Sequence, residues 1–289
     1  MKLRHSYFSN SNQIFNYSHG YHDSKKVFEK NLEENPDHPC LLHYKEHPIE
    51  YRTNNYGFRC PDDIDESFDG NVYMGCSHTF GIAHYWENTW VKILNDKVGG
   101  KCLNLGVPGT GIGTGSRLLD DVKDVIKPKN IFIHYPHPYR YEYFDYKLKR
   151  WRSIAVSIQD DDPKLAAVPK DMYKYLAEEE YARSYYKLHM NLIKTIAGEL
   201  KANLYSVPFI RQFQLEGKYS IHKSNPPLPL IARDMLHCNV LWHQNLADRF
   251  YKTFTGNEPF SEFPPDDGIE VENNTLNKYM EKLSPKPIL

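Results

Sequence analysis

The chain has 289 residues, 40% of them hydrophobic and 25% charged, with 36 basic side chains against 37 acidic ones. That balance excludes the basic footprint of a nucleic-acid binder, and no run approaches the roughly 18 apolar residues of a membrane span. Chains of this length often form one α/β unit, large enough to bury roughly three quarters of the unfolded surface.

Met1 to Asn10 lacks the apolar core of a signal peptide, so a cytoplasmic setting is expected. The cysteines (Cys40, Cys60, Cys76, Cys102 and Cys238) are odd in number and scattered. They give neither a disulfide framework nor a paired zinc motif, and reduced thiols are expected. Tyrosine is abundant, 22 residues, and supplies flat amphipathic contact area; packing of loops onto the core accounts for most of it.

Residues 1–48 show no clear periodicity and read as an irregular arm. The run Val72 to Gly75 predicts a first central strand, ending in Gly75-Cys76-Ser77-His78-Thr79. Trp90, Ile93, Leu94 and Val98 recur at helical spacing over Glu87 to Val98, and Gly99-Gly100 ends that helix. Lys101 to Leu105 reads as a second strand, Gly106 to Gly115 as a glycine-rich loop, Ser116 to Ile126 as an amphipathic helix and Asn130 to Tyr135 as a third strand. This alternation predicts a parallel sheet with right-handed crossovers.

Residues 136–170 break the rhythm with Tyr139, Tyr141, Tyr143, Phe144, Tyr146, Trp151 and Asp160-Asp161-Asp162, and read as a lid or insertion. Lys170 to Lys201 predicts a long helix with an apolar stripe of Tyr185, Leu188, Leu192, Ile196 and Leu200. Asn203 to Phe209 is a fourth strand, Gln212 to Pro229 a loop and Val240 to Phe254 a last helix. Residues 257–289 form a tail with one short helix near Thr275 to Leu283. The domain reading is an arm (1–48), one α/β domain (49–256) and the tail.

A serine just past the carboxyl end of a buried strand projects into the crevice where open α/β sheets bind ligands. Asp234-Met235-Leu236-His237 places a carboxylate three residues before a histidine, just ahead of the final helix. Acyl transfer through serine needs such a base and a group to orient it. The bland alternative is a capping aspartate and a structural histidine. Cys76 beside Ser77 is read as structural, because strand periodicity aims adjacent side chains oppositely.

Gly75-Cys76-Ser77-His78-Thr79 resembles the first block of the SGNH (GDSL-type) esterases and lipases, with Cys76 where aspartate is usual. Asn55-Tyr56-Gly57-Phe58-Arg59 and Glu87-Asn88-Thr89-Trp90 resemble its flanks, Asn104-Leu105-Gly106-Val107-Pro108-Gly109 the second block, and Asp234-x-x-His237 with Ala247 the last. The resemblance implies a three-layer α/β fold, a parallel sheet flanked by helices. It implies catalytic Ser77, Asp234 and His237, with Ser77 and Gly109 as oxyanion donors. The third block departs: Tyr135-Pro136-His137-Pro138-Tyr139-Arg140 stands where the family has Gly-x-Asn-Asp, so His137 is the substitute donor and Arg140 a weaker one.

The function expected is hydrolysis of an acyl, chiefly acetyl, ester of a small molecule or glycan, without metal or cofactor. Tyr139 and Arg140 are candidate substrate contacts, and the aromatic stretch from Tyr139 to Trp151 a candidate sugar wall. Two other readings compete. One is an SGNH-like structural or glycan-binding protein, for example a virion component, that no longer turns over. The other is a metal hydrolase using His134, His137, Asp234, His237 or His243, which lacks a H-E-x-x-H helix.

Overall fold

The computed structural model describes residues 11–17, 23–147, 149–156, 175–207, 231–235 and 237–256. Ahead of the main sheet, β1 (Ile14–Phe15) pairs antiparallel with β2 (Tyr51–Arg52). Between them lie α1 (Lys25–Glu34) and α2 (Pro39–Glu46), which corrects the irregular arm expected over this stretch. The Ser24 hydroxyl caps α1 by accepting from Val27 N at 3.3 Å. Pro39 opens α2, where its missing N–H has no intrahelical acceptor to lose. Each helix buries few side chains, among them Phe28, Leu41 and Tyr44, so neither shows a long apolar stripe in sequence. These pack with Ile49, Tyr51, Phe80 and Ala232 in a core of their own.

The main sheet consists of β3 (Asn71–Met74), β4 (Cys102–Asn104), β5 (Asn130–His134) and, beyond a hairpin of β6 (Arg140–Asp145) and β7 (Arg150–Ala155), β8 (Asn203–Val207). All pairings in it are parallel, in the order β4-β3-β5-β8. Val72 lies opposite Leu103 and Ile131, and Ile131 opposite Leu204. An asparagine ladder runs across the strand starts. Asn203 Nδ2 donates to Asn130 Oδ1 at 3.1 Å, Asn130 Nδ2 to Asn71 Oδ1 at 2.8 Å, and Asn71 Nδ2 to Gly99 O at 2.7 Å. These paired amides tie the strands at one register.

The helices are α3 (Ser77–Phe80), α4 (Trp90–Val98), α5 (Ile112–Val122), α6 (Glu179–Glu199) and α7 (Val240–Phe254). The step from β3 to β4 runs one way along the sheet; those from β4 to β5 and from β5 to β8 run the other. Right-handed crossovers therefore put α4 on one face and α5 and α6 on the opposite one. The packing agrees, since α4 lies against α7 and α5 against α6. The result is the expected α/β architecture, a parallel sheet flanked by helices.

Two further expectations are corrected. The glycine-rich stretch is loop only to Gly111, and Ile112 to Gly115 form the first turn of α5, where α6 crosses so closely that a Cβ on Gly113 would lie 2.1 Å from Tyr185 Oη. The buried face of α6 is Ala182, Met190, Ile193, Ile196 and Ala197, whereas Leu188 and Leu192 are 65% and 40% exposed. Residues 140–155 form the β6–β7 hairpin. Glu142 docks it on α5 by accepting from Arg117 Nε and Nη2 at 2.8 and 2.7 Å. The remainder of the expected insertion (157–170), the first residues of the expected long helix (171–174), the loop Gln212 to Pro229 and the tail 257–289 lie outside the described residues.

Candidate active site

β3 is where the strand order turns back on itself, so the crevice between the carboxyl ends of β3 and β5 is where such a sheet takes its ligand. Ser77 stands there, 7% exposed, as the first residue of α3. Gly75 makes the turn. Its φ is +152°, and a Cβ would meet Thr79 Oγ1 at 2.1 Å and His134 O at 2.7 Å. Thr79 N and Phe80 N both bond to Cys76 O, which leaves the Ser77 and His78 amides as first-turn donors that the helix ladder does not serve. Cys76 is 1% exposed, and its Sγ lies 4.0 Å from Ser77 Oγ.

Asp234 and His237 meet as the spacing predicts. The His237 Nδ1–H donates to Asp234 Oδ2 at 2.5 Å, and the His237 backbone N–H donates to Asp234 Oδ1 at 3.1 Å. A neutral imidazole held this way is unprotonated at Nε2, the state a general base needs. Asp234 is 2% exposed, so the pair works in a low dielectric. Between them, Met235 sits at φ +56°, in the left-handed region.

The loop is fastened from behind. Arg233 Nε and Nη2 donate to Asp23 Oδ1 and Oδ2 at 2.8 and 2.7 Å, and the Arg233 side chain is fully covered. Burial opposes the arginine's charge, and the hydrogen bonds and charge of Asp23 outweigh it, so its pKa rises. Tyr51 Oη also donates to Asp23 and accepts from Ala83 N at 2.8 Å, and Arg233 N donates to Ala83 O at 2.9 Å. On the serine side, Arg59 Nη1 donates to Phe80 O at 3.0 Å and to Gly81 O, and Nη2 to His84 O at 2.8 Å, clamping the end of α3.

His78 links the two segments. Its ring lies 5.4 Å from that of His237, 6.1 Å from His134 and 4.9 Å from Trp242. Behind these, His84 and His243 are 4.7 Å apart. His84 donates Nε2–H to Cys238 O at 2.6 Å, and His243 Nδ1 accepts from Trp90 N at 3.2 Å. Burial holds all four secondary histidines neutral near pH 7. It lowers the pKa of His84 to about 4 and of His134 to about 3, and those of His78 and His243 well below the usual value. The neighbouring imidazoles and the nearby Arg140 charge depress His78 further.

The other predicted residues fall on the loops after β4 and β5. Gly109 is exposed with φ +74°, and its carbonyl accepts from Ser153 Oγ at 2.8 Å. The loop itself passes Gly75, with Val107 N donating to Gly75 O at 3.3 Å. His137 Nδ1 accepts from Tyr139 N at 3.3 Å, so the neutral ring carries its proton on Nε2, the donor form an oxyanion requires. Tyr139 is 3% exposed within the cluster of Tyr141, Ile154 and Val156, so its ring is covered rather than open to a sugar. Arg140 is half-buried, with no partner for its Nε–H. Among the described residues, no group of three or more His, Cys, Asp or Glu side chains is placed to hold a metal ion.

No protein-family model matches the chain, and no curated protein matches its sequence. Among solved structures it is similar to the psychrotrophic esterase EstA from Pseudoalteromonas sp., at 16% identity and a TM-score of 0.31 over 65% of this chain and 97% of that one. It is similar to a putative lipolytic protein of the G-D-S-L family from Desulfitobacterium hafniense DCB-2, at 13% identity and a TM-score of 0.27 over 62% and 95%. It is also similar to an acetyl xylan esterase, Est2A, from Butyrivibrio proteoclasticus, at 9% identity and a TM-score of 0.33 over 73% and 68%. Two of these three are esterases and the third a putative lipolytic protein. The scores are low, and the architecture stands on the strand order rather than on them.

Several residues around the site carry no mark in the sequence. Asn104 donates Nδ2–H to Thr79 O at 2.9 Å and accepts from Gly106 N at 2.9 Å, tying α3 to the loop after β4. That loop approaches so closely that a Cβ on Gly106 would lie 2.5 Å from Phe80 N. His78, Trp242, Arg59 and the Asp23–Arg233 pair are the others. His78 adjoins Ser77 and Arg233 adjoins Asp234, so nearness to a candidate was the only available signal.

Proposed function

We propose that this chain is a serine esterase of the SGNH type that hydrolyses acyl esters, acetyl esters of carbohydrates foremost, through an acyl-Ser77 intermediate. The observation that carries the reading is the buried Asp234–His237 pair, with the imidazole fixed in the tautomer of a base beside the His78 ring. In the first half-reaction His237 Nε2 takes the Ser77 hydroxyl proton as Oγ attacks the ester carbon. His237 then returns that proton to the departing alcohol oxygen. In the second half a water attacks the acyl carbon, gives its proton to Nε2, and the acid leaves with Ser77 restored. The amides of Ser77 and Gly109 and the His137 Nε2–H are the proposed oxyanion donors, each worth roughly 2.7–4 kcal/mol in comparable sites. Arg140 is proposed to hold the alcohol portion.

The test is hydrolysis of p-nitrophenyl acetate and acetylated oligosaccharides by wild type and Ser77→Ala, with labelling by a fluorophosphonate probe. Turnover and labelling in wild type, both lost in Ser77→Ala, are expected. A folded wild type that neither turns over nor labels would instead favour a non-catalytic SGNH-like protein.

A further inference from the structure

A second cleft, of about 510 Å³, opens between the β2 segment and the short helical turn Trp86–Asn88. Its lining includes Glu50, Arg52, Arg59, Tyr85, Trp86 and Glu87. This volume is in the range of built small-molecule sites. The charges lining it cancel, two guanidinium groups against two carboxylates, so a strongly ionic ligand gains nothing there. A wholly apolar ligand would leave the charged groups of the lining unpaired. Arg59 is 1% exposed, and its Nη groups are committed to the α3 carbonyls and to His84 O, yet its Nε–H has no partner. The indole N–H of Trp86 is likewise buried and unpartnered. Both residues line the cleft, so each brings to its aromatic wall a buried N–H that has no acceptor within the protein.

We propose that this cleft binds a neutral oligosaccharide, with a sugar ring against Trp86 and Tyr85, ring or hydroxyl oxygens accepting from Arg59 and Trp86, and hydroxyls donating to Glu50 and Glu87. A pyranose presents an apolar C–H face together with groups that both donate and accept, which is the mixture this lining offers. Its floor, Arg59, grips the far end of the four-residue helix that begins at Ser77. An occupant is therefore held beside the esterase centre without entering it, and the inference does not need that centre to turn over.

The experiment is calorimetric titration of the full chain with unacetylated cellotetraose and xylotetraose, against tetragalacturonate and glucosamine tetramer as charged controls. None carries an acyl ester, so a failed esterase assay leaves the outcome untouched. Binding of at least one neutral tetraose, preferred over both charged ones, is expected, weakened about tenfold or more in Trp86→Ala. No neutral binding at millimolar concentration, a preference for a charged tetramer, or equal affinity in Trp86→Ala would overturn the proposal. Should Trp86→Ala fail to fold, the exposed Glu50→Ala carries the test: weakened binding supports the site and unchanged binding overturns it.

Discussion

Replacing Asp23 with alanine leaves the Arg233 guanidinium charged, wholly buried and without the carboxylate that takes two of its hydrogen bonds. Breaking a buried pair from one side typically costs about 3–5 kcal/mol, mostly the burial of the uncompensated charge. Total stability is of order 5–15 kcal/mol, so about a fifth or more is removed. Chains somewhat smaller than this one lose roughly 2–4 °C per kcal/mol, which puts the melting midpoint down by about 10 °C. Urea titration followed by circular dichroism reads the loss directly. The paired change Asp23→Leu with Arg233→Met removes both charges and is expected to recover most of it, because apolar replacement of a buried pair is often neutral. Arg233 immediately precedes Asp234, so esterase kcat measured below the midpoint should fall more than KM rises in Asp23→Ala. Asp23→Ala unfolding within about 1 kcal/mol of wild type, or a double variant no better than the single one, would refute the view that this pair holds the loop.

Four further outcomes follow from the same geometry. The depressed pKa values of His78, His84, His134 and His243 mean that the unfolded chain takes up more protons than the folded one below pH 6.5. Their contribution is therefore full above about 6.5 and lost as pH falls toward the folded values, at roughly 1 kcal/mol per histidine per pH unit; a urea midpoint unchanged between pH 7 and pH 5 would contradict this. Gly106→Ala forces the β4 loop off Phe80 N, with an expected cost of about 1–3 kcal/mol and a drop in kcat; a fully active, equally stable variant would show that the loop yields freely. His137→Ala should lower kcat by about 100-fold or more with KM little changed if its ring serves the oxyanion, and unaltered kcat removes it from that role. Hydrolysis should persist after prolonged dialysis against a strong chelator, and its loss, restored by zinc, would reinstate a metal mechanism.

The sheet was legible because its strands are continuous apolar runs closed by glycine or proline. Val72 to Gly75 and Asn130 to Tyr135 were placed within a residue or two, and the last helix to the residue. The arm helices were not legible, because α1 buries Phe28 alone. In α6 the exposed Leu188 and Leu192 continue the apolar spacing of Ile196, while the packed side also carries the small Ala182 and Ala197, which signal little in sequence. The first hairpin strand alternates Arg140 and Glu142 with Tyr141 and Tyr143, a strand signal masked by the density of rings. At the candidate site the Asp234–His237 pair is readable because its members are three positions apart, whereas Asp23 and Arg233, 210 positions apart, have no local signature.

Met235 has one more implication. Its backbone must be left-handed for the chain to fold His237 back onto Asp234, yet its side chain is 41% exposed. Selection at this position thus acts on torsion rather than on size or polarity. Asparagine or glycine can stand there readily, long unbranched chains at modest strain, and valine, isoleucine or threonine only by prising the imidazole off its carboxylate. One outward-facing residue thus governs whether the imidazole stays on its carboxylate.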